Sequence, residues 1–245
     1  MHLRYCAGLM VLGVLVWAAA PPARADLVGP ALSMTVNAGG EAVDVDVPLV
    51  ELPDQASDRA KFVMNEVMNV RGQGGGQILA RVEDLSVEYI ADPVVSLGFN
   101  VQAGTSDTTF TITSAKLTFP ALTDPTGEAA VDMLLEDLGG ATGASAQAVP
   151  PNDGMFIGTY NNGTSTFAEL IQGLTFSSGG PLSTNSSVGP ETISGSVDSM
   201  RSQIAMTLSA GDSASGTFVY EIVPEPATLG LLALGGLAML RRRRR

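Results

Sequence analysis

Cysteine, histidine and tryptophan each occur once in the 245-residue sequence, as Cys6, His2 and Trp17. The chain beyond residue 25 therefore contains no thiol, imidazole or indole. This absence excludes a disulfide bond in that part of the chain. It also excludes a Ser-His-Asp triad, a Cys-His pair and a zinc or copper centre ligated by His or Cys. We predict no enzymatic activity, no metal and no cofactor, with a carboxylate-based hydrolase as the remaining enzymatic alternative.

Basic residues are scarce between Asp26 and Val223, where 24 Asp and Glu are accompanied by only six Lys and Arg. The net charge of this stretch is −18, compared with −12 for the whole chain. Such an acidic surface repels nucleic acid, so we predict no nucleic-acid partner. Most of these carboxylates are expected to lie on solvated faces.

The first 25 residues have the composition of a secretory signal peptide. Arg4 supplies a positive charge, Ala7 to Ala20 form an apolar stretch, and residues 23–25 read Ala-Arg-Ala. Small residues at the first and third positions of such a triplet are typical of a signal-peptidase site. The pattern predicts cleavage between Ala25 and Asp26.

Residues 223–245 combine a proline-rich box, an apolar run and a basic end. The box is Pro224, Glu225 and Pro226, the run extends from Ala227 to Leu240, and the basic end is Arg241, Arg242, Arg243, Arg244 and Arg245. A helix of this run would be about 21 Å long, shorter than a hydrocarbon core of about 30 Å. Arginine side chains reach the interface and keep their end of the helix in the cytoplasm. We therefore predict a short transmembrane helix followed by a basic stop.

This arrangement resembles the PEP-CTERM sorting signal of Gram-negative bacteria. In that family a membrane protease, the exosortase, recognises the box and processes the protein at the envelope. The resemblance implies that exosortase, signal peptidase and membrane lipid are partners of this chain. The same tail occurs on some ice-binding proteins. The resemblance covers residues 223–245 only. It therefore implies a destination for the chain but no activity for residues 26–222, which we call the body.

Residues 26–222 are predicted to form one all-β domain with a substantial core. Stretches that alternate apolar and polar residues, such as Ala42–Val47 and Gln77–Tyr89, are separated by Gly, Pro, Asn and Asp. This spacing is typical of a β-sandwich, and residues 161–163, Asn-Asn-Gly, predict a hairpin turn. We expect a jelly-roll or Ig-like sandwich with one or two short helices, between an N-terminal signal helix and the C-terminal transmembrane helix.

Three stretches carry other local predictions. Asp58–Val70 has apolar residues at helical spacing, although a strand is nearly as well supported. In residues 124–138, Asp124 suits a helix N-cap and Pro125 the first helical position. An apolar stripe follows it at Val131, Leu134, Leu135 and Leu138. Ser177–Pro190 is rich in Ser and Gly and is predicted to be a loop.

The body offers only weak candidate sites. Carboxylate pairs suited to acid–base chemistry are Asp44 with Asp46, Asp54 with Asp58, Glu83 with Asp84, and Glu136 with Asp137. Residues 152–154, Asn-Asp-Gly, lie in a predicted loop but supply too few oxygen ligands for calcium. Thr109, Thr111 and Thr113 are explained by the β-propensity of Thr rather than by an ice-binding face.

These observations favour an exported, non-catalytic envelope or extracellular matrix protein, anchored in the inner membrane with its body in the periplasm. Exosortase processing and release to the outer surface or the medium is the open alternative for its final location. A carbohydrate-binding module is the alternative function, for which Tyr89, Phe99, Phe110 and Tyr160 would have to line a concave face. Extracellular polysaccharide is a further candidate partner. The predicted segments are 1–25, 26–222 and 223–245.

The signal-peptide prediction fixes the N-terminus of the exported chain. Intact-mass measurement of protein from envelope fractions should give a chain that begins at Asp26, because the triplet before it fits signal peptidase. A chain in those fractions that still begins at Met1 would contradict this prediction.

Overall fold

A computed structural model describes residues 26–52, 58–73, 76–139, 143–177 and 180–224. These residues form two antiparallel sheets. The strands, in chain order, are β1 (Asp26–Ala38), β2 (Glu41–Val45), β3 (Leu49–Glu51), β4 (Arg59–Met64), β5 (Met68–Arg71), β6 (Ile78–Ile90), β7 (Val94–Ala103), β8 (Thr108–Thr123), β9 (Thr126–Glu136), β10 (Ala144–Ala148), β11 (Phe156–Tyr160), β12 (Ser165–Leu170), β13 (Gly173–Phe176), β14 (Leu182–Thr192), β15 (Ser196–Leu208) and β16 (Ser213–Val223).

Each sheet contains eight strands. The first sheet has the order β12-β11-β15-β8-β1-β2, with β10 also beside β15 and β13 beside β10. The second has the order β14-β9-β16-β7-β6-β4-β3, with β5 also beside β6. The sheets face each other across one apolar core, so the all-β, sandwich-like prediction is confirmed.

Aromatic side chains connect the two sheets in the core. Phe156 of the first sheet has its ring centroid 5.8 Å from that of Phe99 and 5.8 Å from that of Phe218, both in the second sheet. Ring pairs at this separation add stabilisation beyond the burial of their area. Nearby, Phe167 stacks on Tyr220 with centroids 5.5 Å apart and planes 16° apart.

Tyr89 adds a polar connection between the sheets. It lies on β6, yet its hydroxyl donates to the carbonyl oxygen of Ala31 and accepts from the amide nitrogen of Ala115, which is 2.7 Å away. Both partners belong to the first sheet. Burial raises the pKa of the Tyr89 hydroxyl well above its ordinary value, so it remains a neutral donor.

The predicted helix at residues 124–138 is wrong, because this stretch is β9. Its buried residues follow the period-two set of Ala129, Val131, Met133 and Leu135, each at most 2% exposed. Leu138, which the helical stripe would bury, is 56% exposed. The Asp124 carboxylate accepts from the Gly195 amide at 2.6 Å instead of capping a helix.

Two further local predictions are settled by the strand pairing. Asp58–Val70 contains β4 and part of β5, so the strand alternative is confirmed for this stretch. Ser177–Pro190 is not a loop throughout, because β14 begins at Leu182 and pairs with β9. Within the described residues there is no α-helix, and none long and apolar enough to cross a membrane. The predicted signal helix and the helix at 227–240 lie outside those residues.

Two buried tyrosines form a matched test of the core. Tyr89→Phe should lower the free energy of unfolding by about 1–3 kcal/mol, because it leaves the buried Ala115 amide without its acceptor. Tyr220→Phe should be neutral or stabilising, because the buried Tyr220 hydroxyl has no hydrogen-bond partner within the described part of the chain. Urea unfolding of both variants measures the difference, and equal losses would contradict the assignment.

Candidate functional site at the end of the last strand

The last strand, β16, lies inside the second sheet. It pairs with β9 on one side and with β7 on the other along nearly its whole length. Phe218, Tyr220 and Ile222 are fully buried, because alternate residues of the strand point into the core. The strand is therefore held by two ladders of backbone hydrogen bonds and by the core at the same time.

The strand ends where the proline-rich box begins. Val223 still pairs with Thr126, and the Ile222 amide donates to the carbonyl oxygen of Pro93 at 2.9 Å. Val223 is 42% exposed, and Pro224 is exposed and outside the strand. Proline has no amide hydrogen to donate, so it cannot extend the ladder. The core strand thus passes into the box without an intervening linker.

Acidic residues gather at this end of the second sheet. Glu221 lies directly opposite Glu128 on β9 and opposite Val94 on β7. Asp92 precedes β7, and Glu191 on β14 lies opposite Gly127. Negative charge at this end repels an anionic surface, so any attraction to anionic lipid has to come from the arginines of the tail.

The described part of the sorting segment ends at Pro224. Asp26, on the other side of the predicted signal cleavage, is the first residue of β1 and lies opposite Thr118 on β8. The remaining predicted site residues lie outside the described part of the chain: Ala25, Glu225, Pro226, Ala227 to Leu240 and Arg241 to Arg245.

The fold distributes the candidate carboxylate pairs over different strands. Asp44 is on β2 and accepts from the Thr35 hydroxyl at 2.8 Å. Glu83 is on β6, where it binds Arg81 at 3.2 Å and the Asn100 side chain at 3.2 Å. Glu136 lies on β9, and Asp54 is outside the described residues. The pairs that can be placed belong to separate strands, and Asp44, Asp46, Glu83 and Asp84 are exposed.

The positions of the possible metal ligands agree with this separation of the carboxylate pairs. The residues that the structure describes contain no group of three or more His, Cys, Asp or Glu positioned to hold a metal ion. Asp153, in the loop considered for calcium, has its amide bound to the Glu169 carboxylate at 3.1 Å. The absence of a cofactor stays a prediction.

The aromatic face suggested for carbohydrate binding does not form. Tyr89, Phe99 and Phe110 are core residues, each at most 3% exposed, and only Tyr160 is partly exposed. Alternation along a strand separates its two faces, but the sequence does not tell which face is buried. Here the face that carries these aromatic residues is the one that points into the core. The outer face of the first sheet instead carries polar residues, including Thr109, whose hydroxyl binds that of Thr207 at 2.9 Å.

Sequence reasoning missed an open groove on the outer face of the second sheet. Its volume is about 290 Å³, and its lining includes Asp132 and Leu134 from β9, Ser183 and Asn185 from β14, and Ser215 from β16. The strands that line it are far apart in the sequence and adjacent only in the sheet. No local pattern could have revealed the groove.

One buried carboxylate lies at the opposite end of β16. Asp212, in the turn before β16, is 2% exposed and accepts from the Ser209 hydroxyl. Burial raises the pKa of the Asp212 carboxyl, and the nearby charges of Asp137 and Asp107 raise it further. Because it is bound within its own turn, we assign it to the local structure.

Comparison with known proteins identifies the C-terminal segment. The family model for the PEP-CTERM protein-sorting motif matches residues 223–245. The motif therefore begins at the last residue of β16. No curated protein matches the chain.

Several solved structures match the chain at low similarity. TmCBM61 in complex with β-1,4-galactotriose is 11% identical with a TM-score of 0.28, over 71% of this chain and 88% of that one. The C-terminal CBM6 of LamC, a marine laminarinase from Zobellia galactanivorans, is 9% identical with a TM-score of 0.20, over 63% and 98%. A chain of infectious bursal disease virus Gx strain is 11% identical with a TM-score of 0.24, over 84% and 58%. At these values the similarity does not indicate what the chain binds.

The family match and the structure place the start of the motif and the end of β16 at the same residue, Val223. The matched segment starts where the central strand β16 ends, and the motif implies export and recognition by an exosortase. The chain is thus a β-rich protein that carries a PEP-CTERM protein-sorting motif at residues 223–245.

Proposed function

We propose that this chain is a non-catalytic protein of the envelope or extracellular matrix of a Gram-negative bacterium. Its sandwich body is delivered to the periplasmic side, and its tail anchors it in the inner membrane until an exosortase processes it. The observation that carries this proposal is the direct passage of β16 into the sorting motif. The body lies at the membrane surface for as long as the tail is retained.

The chemistry of the body supports a non-catalytic role. Its carboxylates lie on different strands, and several are engaged by neighbouring donors such as Thr35 and Arg81. The body also lacks the thiol and imidazole groups on which nucleophilic and zinc-dependent hydrolases rely. An acidic, hydrated surface suits a protein that stays soluble and monodisperse outside the cell.

Carbohydrate binding remains an alternative, but it would need a surface other than the aromatic face considered above. The partly exposed aromatic residues that the structure describes lie on four different strands: Phe62, Tyr160, Phe167 and Phe176. Retention of the purified body on immobilised polysaccharide would favour this alternative over a purely structural role.

The tail contains two parts with separable roles. Replacing Arg241 to Arg245 with Ser should release uncleaved protein into the periplasm or medium, because about 1 kcal/mol of lipid attraction per arginine is lost from a marginal span. Replacing Pro224, Glu225 and Pro226 with Ala should leave the protein in the membrane and unprocessed. Fractionation with a body-specific antibody measures both outcomes.

Each tail variant has a matched control. Changing the five arginines to Lys retains the charge and should preserve native fractionation. Glu221→Ala removes a carboxylate just outside the motif and should leave processing unchanged. If both the Ser and the Pro-Glu-Pro variants fractionate like the native chain, residues 223–245 do not sort the protein and the proposal fails.

Removal of metal ions tests the prediction that the body binds no metal and no cofactor. EDTA and thiol reagents should leave the melting temperature of the processed protein unchanged, because it contains no Cys or His. A decrease of more than about 10 °C, equivalent to several kcal/mol for a domain of this size, would reveal a calcium site. Refilling with calcium and with magnesium would then show which ion is bound.

A further inference from the structure

Six strands of the described structure have a strand partner on one side only. Five are short: β2 has five residues, β3 three, β5 four, β12 six and β13 four. Short length is one of the ways in which natural sheets prevent edge-to-edge pairing, and charges and bulges are others. β2 and β12 also carry acidic residues, and the pairing of β12 with β11 is interrupted by a bulge.

The sixth edge strand, β14, lacks these protections over most of its length. It has 11 residues, and its first seven, Leu182 to Val188, contain no charge and no proline. Their pairing with β9 is regular, and the register shifts only between Val188 and Glu191. Among the described residues no backbone hydrogen bond outside the sheet ladders involves this seven-residue stretch. No strand of the described residues pairs with its outer row of amides and carbonyls.

The sequence of this stretch matches itself in the antiparallel direction. The seven residues read Leu-Ser-Thr-Asn-Ser-Ser-Val, with Asn185 at the centre. Reversal about Asn185 places Leu182 opposite Val188, Ser183 opposite Ser187, and Thr184 opposite Ser186. Each pair joins similar side chains, and aliphatic and hydroxyl pairs of this kind stabilise neighbouring strands. The exposed side chains, those of residues 183, 185 and 187, remain on one face in both copies.

We propose that two copies of this chain associate through β14, with antiparallel strands related by a two-fold axis at Asn185. The contact joins the second sheets of both copies into one continuous sheet. A two-fold contact requires a surface that is complementary to itself, and this stretch satisfies the requirement residue by residue. A different partner strand would have no reason to match this symmetry.

The charge distribution permits this contact despite the acidic body. The nearest carboxylate to the axis within the sheet is that of Asp132, which lies opposite Asn185 on β9. The Asp132 residues of two copies would be three strand spacings apart, about 14 Å. At physiological ionic strength the screening length is about 8 Å, so their repulsion is largely screened. The uncharged stretch of β14 thus brings two acidic bodies together where their repulsion is small.

Disulfide trapping tests the position of the axis. Asn185→Cys is introduced into the full chain together with Cys6→Ser, and the chain is oxidised in membranes and after purification. Directly opposed residues in antiparallel strands have Cβ atoms about 4.5–5.5 Å apart, and the corresponding Cα separation is compatible with a disulfide. We expect a covalent dimer on non-reducing gels as the main product.

Single cysteines on the same strand provide the matched controls. Ser183→Cys and Ser187→Cys are equally exposed, but each would be about 13 Å from its own copy across the axis. Both single variants should remain monomeric, whereas the Ser183→Cys/Ser187→Cys double variant should cross-link. Equal cross-linking of the single variants and Asn185→Cys would show random collision and overturn the proposal.

A charge substitution tests the pairing independently of the cysteine geometry. Thr184→Lys with Ser186→Lys, added to Asn185→Cys, places four lysines around the axis and should reduce cross-linking at least about tenfold. A melting temperature close to that of the Asn185→Cys chain would show that the fold is retained. Unchanged cross-linking in this variant, or an Asn185→Cys chain that stays monomeric, would reject the β14 interface. Neither result depends on sorting by the tail, so the proposed function is tested separately.

Discussion

The contact of Phe156 with Phe99 and Phe218 is the interaction on which the two sheets depend most directly. The three rings belong to β11, β7 and β16, and they pack β11, which lies between β12 and β15 in the first sheet, against two neighbouring strands of the second. No disulfide can replace this packing, because the body contains no Cys. In the second sheet, β14 and the groove beside it are attached to β16 through β9, so their position depends on this packing.

Alternation within a strand predicted the body well where one face is buried. Ala42–Val47 and Gln77–Tyr89 correspond to β2 and β6, and the Asn-Asn-Gly turn joins β11 to β12 with positive φ at all three residues. The error at β9 arose because its apolar residues fit both a two-residue and a helical period. The error at β14 has another cause. An edge strand of Ser, Thr and Asn has no apolar alternation, and only its hydrogen bonds to β9 define it.

The sorting motif was predictable from the sequence because its parts are contiguous and each has an unusual composition. A proline-rich box, an apolar run and five arginines can be recognised without knowledge of any tertiary contact. The groove lined by Asp132, Asn185 and Ser215 has the opposite character, since its strands meet only in the folded sheet. The carboxylate pairs chosen by proximity in sequence fall on separate strands or at their ends, and Asp44, Asp46, Glu83 and Asp84 are exposed.

The central position of β16 links folding to the sorting motif. Among the strands of the described residues β16 is synthesised last, yet it inserts between β7 and β9. Until it does so, the second sheet consists of two separate parts, one built on β6 and β7 and the other on β9 and β14. Pairing Val94 with Glu221 closes a very long loop, and such non-local contacts form slowly. The sandwich can therefore close only after the chain has been made up to the first residues of the sorting motif.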